Sequence, residues 1–169
     1  MTTSAPDWDR ERREIIDVTH RYAAGIDRRD WGLLRGCFTD LFELDTSSWS
    51  GRPAAMRSAE EFVAGVRQAI GGFDATQHLV TNHLVEPLAD AEARCWAEVR
   101  AMHWFDPATL RSLRPGASAS WCELGGHYTG VLVRDGDRWR IRRWVFTVRW
   151  RDGDETLFEL ARTRDVERG

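Results

Sequence analysis

Asp27, His78 and His103 supply a carboxylate and two imidazoles, residue types sufficient to take a proton from one atom and return it to another. Each sits in a distinct local pattern. Asp27 closes an amphipathic helical stretch in Ala-Gly-Ile-Asp-Arg-Arg-Asp-Trp (24–31). His78 opens the strand-like run Thr-Gln-His-Leu-Val-Thr-Asn-His-Leu-Val, and His103 ends another, Cys-Trp-Ala-Glu-Val-Arg-Ala-Met-His-Trp-Phe. Counting back from Asp27 in steps of three and four reaches Ala23, His20 and Ile16, so the carboxylate lies beside the apolar stripe of its helix. A carboxylate on a half-buried face needs a partner, and His103 is the one expected. Burial lowers an imidazole pKa and a nearby carboxylate raises it, so an Asp beside one of two His would separate a base from an acid. Taken singly, each residue also has a bland reading, as a hydrogen-bonded core histidine or a helix-end cap.

The elements that must position these groups follow from hydrophobic period. Ile15, Val18, Thr19, Tyr22 and Ile26 recur at helical spacing, which predicts a helix from about Asp7 to Arg29. Asp30 is placed to cap a short helix at Trp31, a strand is expected over 41–46, and Ser58 with Glu61 has capping-box spacing for a helix stopped by Gly71 and Gly72. From Ala75 onward the period is two. Strands are expected over 76–88, 92–105, 121–134 and 138–151, with a hairpin turn at Arg-Asp-Gly-Asp-Arg (134–138). In the second of these, Ala93, Cys95, Ala97, Val99, Ala101, His103 and Phe105 share one face. His78 is expected to share its face with Val80, Asn82 and Leu84.

The last strand changes parity between Ile141 and the set Trp144, Phe146, Val148 and Trp150, which predicts a β-bulge near Arg142 and Arg143. A bent sheet can enclose a pocket, and Asp106 to Ser120 reads as a long loop able to cover it. Helices followed by an antiparallel meander make an α+β fold of one domain, with its core over about 8–160 and flexible ends at 1–7 and 162–169.

Composition narrows the chemistry. All 24 cationic side chains are Arg, against 27 acidic residues, a formal charge of −3. The absence of Lys removes Schiff-base chemistry, a pyridoxal-phosphate anchor and a phosphate-loop lysine. No Gly-x-Gly-x-x-Gly or Gly-x-Ser-x-Gly occurs, so dinucleotide binding and serine hydrolysis are not expected. Cys37, Cys95 and Cys122 are odd in number and far apart, which reads as reduced thiols in a cytoplasmic protein. No secretory leader or membrane-length apolar run is read.

No metal site is expected, because His-Glu-x-x-His and cysteine clusters are missing, and His78 and His83, five apart on a strand, should face opposite sides. The Arg and Trp of residues 138–151 could suggest single-stranded nucleic acid, but the negative charge favours a solvated face or a subunit contact. Nine Trp against two Tyr suggest an aromatic-walled cavity as well as a core.

One ordered set of motifs runs along the chain: Ile-Asp-Arg-Arg-Asp-Trp (26–31), Glu-Glu-Phe-Val (60–63), Thr-Gln-His (76–78), the His103 strand, Gly-Asp-Arg-Trp-Arg-Ile (136–141) and Val-Arg-Trp (148–150). On these motifs the span from about Ile15 to Phe158 resembles the SnoaL-like, nuclear transport factor 2-like superfamily, and within it the scytalone dehydratase branch. The resemblance implies a conical barrel in which a curved antiparallel sheet wraps N-terminal helices around a small molecule, the nuclear transport factor 2-like or cystatin-like fold. It also implies a catalytic group at Asp27, His78 and His103. Two tyrosines that polarise the substrate carbonyl in those dehydratases are matched here by Ile26 and Thr46.

The pocket is expected to be lined by Ile26, Thr46, Trp49, Phe62, Trp104, His127, Tyr128, Trp144 and Phe146, with Tyr128, Thr46 or Trp49 available to replace the missing donors. The implied activity is a cofactor-independent dehydratase acting on a hydroxy-carbonyl or polycyclic metabolite of bacterial secondary metabolism. In that scheme His78 is the base and His103, held and charged by Asp27, is the acid. A polyketide-type cyclase or isomerase needs the same base without a leaving group. A non-catalytic binding protein, like the small subunit of ring-hydroxylating dioxygenases, needs none of the three. The expected partners are a small-molecule substrate and further copies of the chain, as a dimer or trimer.

Overall fold

The computed structural model describes residues 7–88 and 91–168. Helix α1, Trp8–Asp27, starts where the Asp7 carboxylate accepts a hydrogen bond from the Arg10 amide, and it buries Ile15, Val18, Tyr22, Ala23 and Ile26 along one stripe. Asp30 caps α2, Trp31–Arg35, through the Leu33 amide. After β1, Phe38–Asp45, come a short α3, Ser47–Ser50, and β2, Ala55–Ser58. Helix α4, Ala59–Ile70, carries the expected capping box of Ser58 and Glu61. The long strands β3 (Ala75–Pro87), β4 (Glu92–Trp104), β5 (Trp121–Asp135) and β6 (Arg138–Gly153) follow, and α6, Leu157–Arg168, ends the described chain.

The six strands of the described residues form one curved, open sheet in the order β2-β1-β6-β5-β4-β3, so the cone is not sealed into a barrel and β3 is an edge strand. The meander is antiparallel as its alternation requires. One pairing departs from that pattern: β1 lies parallel to β6, because it precedes the meander and adds to the free side of its last strand. The core fills the space between the inner sheet face and the helices, with Trp144, Phe38, Phe42, Phe105, Ile15 and Leu34 almost fully buried.

Three bulges set which way side chains point. Val131 pairs with Arg143 and Leu132 with Ile141, which leaves Arg142 extra at the predicted position. A second shift, between Gly125 and Gly126, leaves Arg149 extra and turns Trp150 to the outer face, where its indole occupies the space a Cβ at Gly125 would need. Trp150 therefore does not share the face of Trp144 and Phe146. The third lies in β3, where Asn82 and His83 together oppose Ala97 and Asn82 adopts φ 56°. Asn82 and Leu84 consequently leave the face of His78, and His83 joins it.

The expected 106–120 loop contains a helix, α5, Pro107–Leu113, capped by Asp106 and begun by Pro. The tail expected to be flexible from 162 continues as α6 to Arg168. Of the amino-terminal segment, Asp7 is the α1 cap, while 1–6, like 169, lie outside the described residues. Leu157, Phe158 and Ala161 of α6 are buried against the core.

Close packing fixes the seat of α6. A Cβ at Gly72 would lie 2.0 Å from the Ala161 carbonyl oxygen, whereas one at Gly65 on α4 meets nothing within 4 Å. Gly72→Ala should therefore destabilise by about 1–3 kcal/mol through backbone displacement. Gly65→Ala should stabilise by about 0.5–1 kcal/mol through helix propensity. Chemical denaturation of the two variants beside the wild type checks both signs.

Candidate active site

Asp27 is the last residue of α1, and α1 packs against the edge strand β3. The carboxylate faces the strand and is fully engaged. Its Oδ1 lies 2.8 Å from His78 Nδ1, its Oδ2 accepts the His78 backbone N–H at 2.8 Å, and the Thr76 hydroxyl donates to Oδ1 at 3.0 Å. Arg29, at φ 59° just beyond the helix, holds this arrangement from behind. Its guanidinium donates to Thr76 Oγ1 at 2.8 Å, to the Ile26 carbonyl at 2.9 Å, and to the carbonyls of Ile70 and Phe73 at 3.2 and 3.4 Å. Because guanidinium only donates, the Thr76 proton is free to point at Asp27.

Burial raises the Asp27 carboxyl pKa, but the hydrogen bond and charge of His78, with the amide and the Thr76 hydroxyl, outweigh it and hold the group below its ordinary value. An ionised Asp27 accepts a hydrogen bond from the Nδ1–H of His78 and leaves Nε2 as the basic nitrogen. The sequence-based pairing of Asp27 with His103 is thus corrected. The edge strand next to α1 carries His78, and β4 lies one strand further in.

His103 is only 3% exposed. Its ring sits 5.3 Å from Phe73 and 4.7 Å from Phe158, and meets His78 edge to face at 5.5 Å. Its Nδ1 is buried without a hydrogen-bond partner among the described residues. Burial, reinforced by the charge of His78 and partly offset by the Cys122 carbonyl, pushes its pKa from 6.5 to about 3. His103 is therefore a neutral imidazole near neutral pH. It can exchange hydrogen bonds but does not arrive charged, as the acid role expected from sequence requires.

A cleft of ≈ 390 Å³ runs between α1 and β3 beside Asp27 and His78, walled by His20, Ala23, Ala24 and Asp27 of the helix, by Arg28 just past its end and by 78–81 on the strand. His20 is visible in sequence only as the residue two turns before Asp27. The nine expected pocket residues fall into three groups. Ile26, Trp49, Phe62, Tyr128, Trp144 and Phe146 face inward but pack on one another and on the core. Tyr128 stacks on Trp144 at 4.7 Å and meets Phe146 at 5.1 Å, Phe62 meets Phe38 at 4.9 Å, and Trp49 meets Phe158 at 5.7 Å. Burial pushes the phenol pKa values of Tyr22 and Tyr128 up, so both remain neutral donors.

Thr46 stands at the start of α3 with its hydroxyl 3.2 Å from that of Ser50. Trp104 and His127 are corrected to the outer face. Strand alternation turns Trp104 away from its neighbour His103, and His127 lies 5.5 Å from the Trp96 ring across the β4–β5 pair. Among the described residues no group of three or more His, Cys, Asp or Glu is placed to hold a metal ion, and no helix is long and apolar enough to cross a membrane. Cys37, Cys95 and Cys122 are buried and unpaired with one another.

The family model of the SnoaL-like domain matches residues 10–145. The chain belongs to the SnoaL-like family. Its fold recurs in the Kfla4162 protein from Kribbella flavida, at 29% identity and TM-score 0.79, over 92% of this chain and 99% of that one. A candidate scytalone dehydratase from Novosphingobium aromaticivorans superposes at TM-score 0.68 with 17% identity, over 86% and 88% of the two chains. A hexachlorocyclohexane dehydrochlorinase from Novosphingobium barchaimii does so at 0.66 with 17% identity, over 89% and 95%. No curated protein matches this SnoaL-like chain in sequence.

The depressed His103 pKa has a thermodynamic consequence. Between its unfolded value of 6.5 and its folded value of about 3, the unfolded chain binds a proton that the native state refuses. This site's contribution to stability is therefore complete above 6.5 and is lost as pH falls towards 3, with a total on the order of a few kcal/mol. His103→Leu should flatten the fall in Tm between about pH 6 and 4, measured by circular dichroism, if burial of a neutral imidazole is its cause.

Proposed function

We propose that the protein is a cofactor-independent lyase in which His78, oriented by Asp27, removes a proton from carbon next to a carbonyl and a β-hydroxyl group leaves as water. The observation that carries this reading is the 2.8 Å Asp27–His78 contact beside the α1–β3 cleft. The carboxylate fixes the Nδ1–H tautomer, so Nε2 is the base, and it stabilises the imidazolium formed when Nε2 accepts the proton. The same proton then passes to the departing hydroxyl. The C–H and C–O bonds break, the carbon–carbon double bond forms, and the imidazole returns to its starting state. One histidine thus serves as base and acid in turn, and neutral His103 contributes its position beside the His78 ring. The relatives named as a dehydratase and a dehydrochlorinase carry, in those names, the loss of water and of hydrogen chloride.

The cleft volume of ≈ 390 Å³ lies near the lower end of the range of about 300–1,000 Å³ usual for small-molecule sites, which suits a compact one- or two-ring substrate. A second reading, an isomerase or cyclase, uses the same base without a leaving group and accords equally with a neutral His103. In a producing host lacking the gene, mass spectrometry separates them. An accumulated intermediate heavier than the missing product by one water supports dehydration, and one of equal mass supports isomerisation or cyclisation. With that substrate, His78→Ala and Asp27→Asn should each lower kcat/KM by about 10²–10⁴-fold with the fold retained by circular dichroism. Near-wild-type turnover in a folded His78→Ala protein overturns the mechanism.

Self-association belongs to the same proposal. Trp104 and Trp150 are 36% and 46% exposed on the outer sheet face, a surface on which a second copy could bury them. Light scattering should give a mass above one chain, reduced by Trp150→Glu.

A further inference from the structure

The cleft has two ends, and the base occupies only one of them. At the other, Thr19 of α1 is fully buried, and its hydroxyl lies 2.7 Å from His83 Nε2 on β3. The same hydroxyl donates its single proton to the Ile16 carbonyl at 2.7 Å. Thr19 must then accept from His83, so Nε2 carries the hydrogen. His83 reaches the helix only because of the β3 bulge, where Asn82 takes the left-handed conformation at φ 56° and reverses the parity of the strand. Asn tolerates that conformation better than most residues. The His83 ring meets His20, a wall of the cleft, edge to face at 5.2 Å.

We propose that His83 is a positioning residue for the Asp27–His78 base, clamping α1 to the edge strand so that the cleft is the gap between two hydrogen-bonded ends. The proposal rests on the reading of Asp27 and His78 as the base. The geometry is that of a strut fixed twice. Thr19 and Asp27 are eight residues apart on one helix, about 12 Å along its axis. Ala23, Ala24 and His20 lie between them, and 79–81 lie between His78 and His83 on the strand. With both ends tied, the helix cannot pivot, and the Asp27 carboxylate keeps its 2.8 Å contacts with the His78 ring and amide. With the Thr19 bond removed, Glu11 and Glu14 still tie α1 to Trp139 and Arg134, but the stretch of helix between His20 and Asp27 loses its second hydrogen bond to β3.

Burial, reinforced by the positive charges of His20 and Arg12, lowers the His83 pKa, which suits a neutral Nε2–H donor. The test reads the tautomer of His78 without substrate, by imidazole ¹⁵N shifts assigned through Asp27→Asn. Free imidazole of histidine favours Nε2–H, whereas the Asp27 contact demands Nδ1–H. The wild type should be Nδ1–H. His83→Leu should move His78 towards Nε2–H while the chain stays folded, and His83→Gln, which restores an N–H donor, should recover the wild-type state.

Should His83→Leu fail to fold, Thr19→Ala removes the same bond from the other side and should give the same shift. A merely structural role lowers Tm without moving the tautomer. Folded His83→Leu or Thr19→Ala proteins that retain Nδ1–H, or a wild type already in the Nε2–H form, overturn the clamp. If the variants show the tautomer shift but the wild type itself lacks lyase activity on the identified metabolite, the function proposed above is overturned and the clamp stands.

Discussion

A partly buried carboxylate at the end of a helix constrains everything around it. Asp27 cannot face the core without compensation, since an unpaired buried charge is costly. Its compensation comes from one short stretch of β3: the His78 ring, the His78 amide and the Thr76 hydroxyl. This requires α1 to lie along the sheet edge, β3 to be the edge strand, and Arg29 to turn back at positive φ to hold Thr76. The electrostatic need of one side chain thereby ties helix to strand and orients the imidazole on which the proposed chemistry depends.

The second imidazole obeys the opposite constraint. His103 occupies a pocket of Phe73, Phe158 and the His78 ring, while the Asp27 carboxylate bonds to His78. Two histidines 5.5 Å apart are therefore not equivalent. His78 has the Asp27 carboxylate at its back, and burial keeps His103 neutral. In the proposed mechanism that asymmetry divides base from neutral neighbour without a charged acid.

Much of this was legible in the chain. Periodicity located α1, α4 and all four long strands, the parity change in 138–151 located the bulge at Arg142, and Ser58 with Glu61 located a helix start. The motifs placed the fold in the right superfamily. What was not legible depends on which strand neighbours which and on bulges without a pattern. Sequence does not order strands in a sheet, so it does not say that Asp27 meets His78 and not His103. Nothing in Thr-Asn-His-Leu announces that Asn82 is extra, so simple alternation puts His83 on the wrong face. Residue type alone suggests Trp104 and His127 for the pocket, although alternation along the strand puts Trp104 opposite His103. The parallel placement of β1 beside β6 is a long-range contact between elements about a hundred residues apart, and no local pattern encodes it.

The place of β3 at the margin of the sheet has a bearing on solubility. An outermost strand offers unpaired amides and carbonyls to any other strand that arrives, which makes it a template for unwanted association. Here a helix lies over that margin, and one of the amides, that of His78, is already taken by the Asp27 carboxylate. The same carboxylate that orients the imidazole also occupies a docking point for a foreign chain. Closing that edge is thus a task of Asp27 that does not depend on any chemistry of the imidazole.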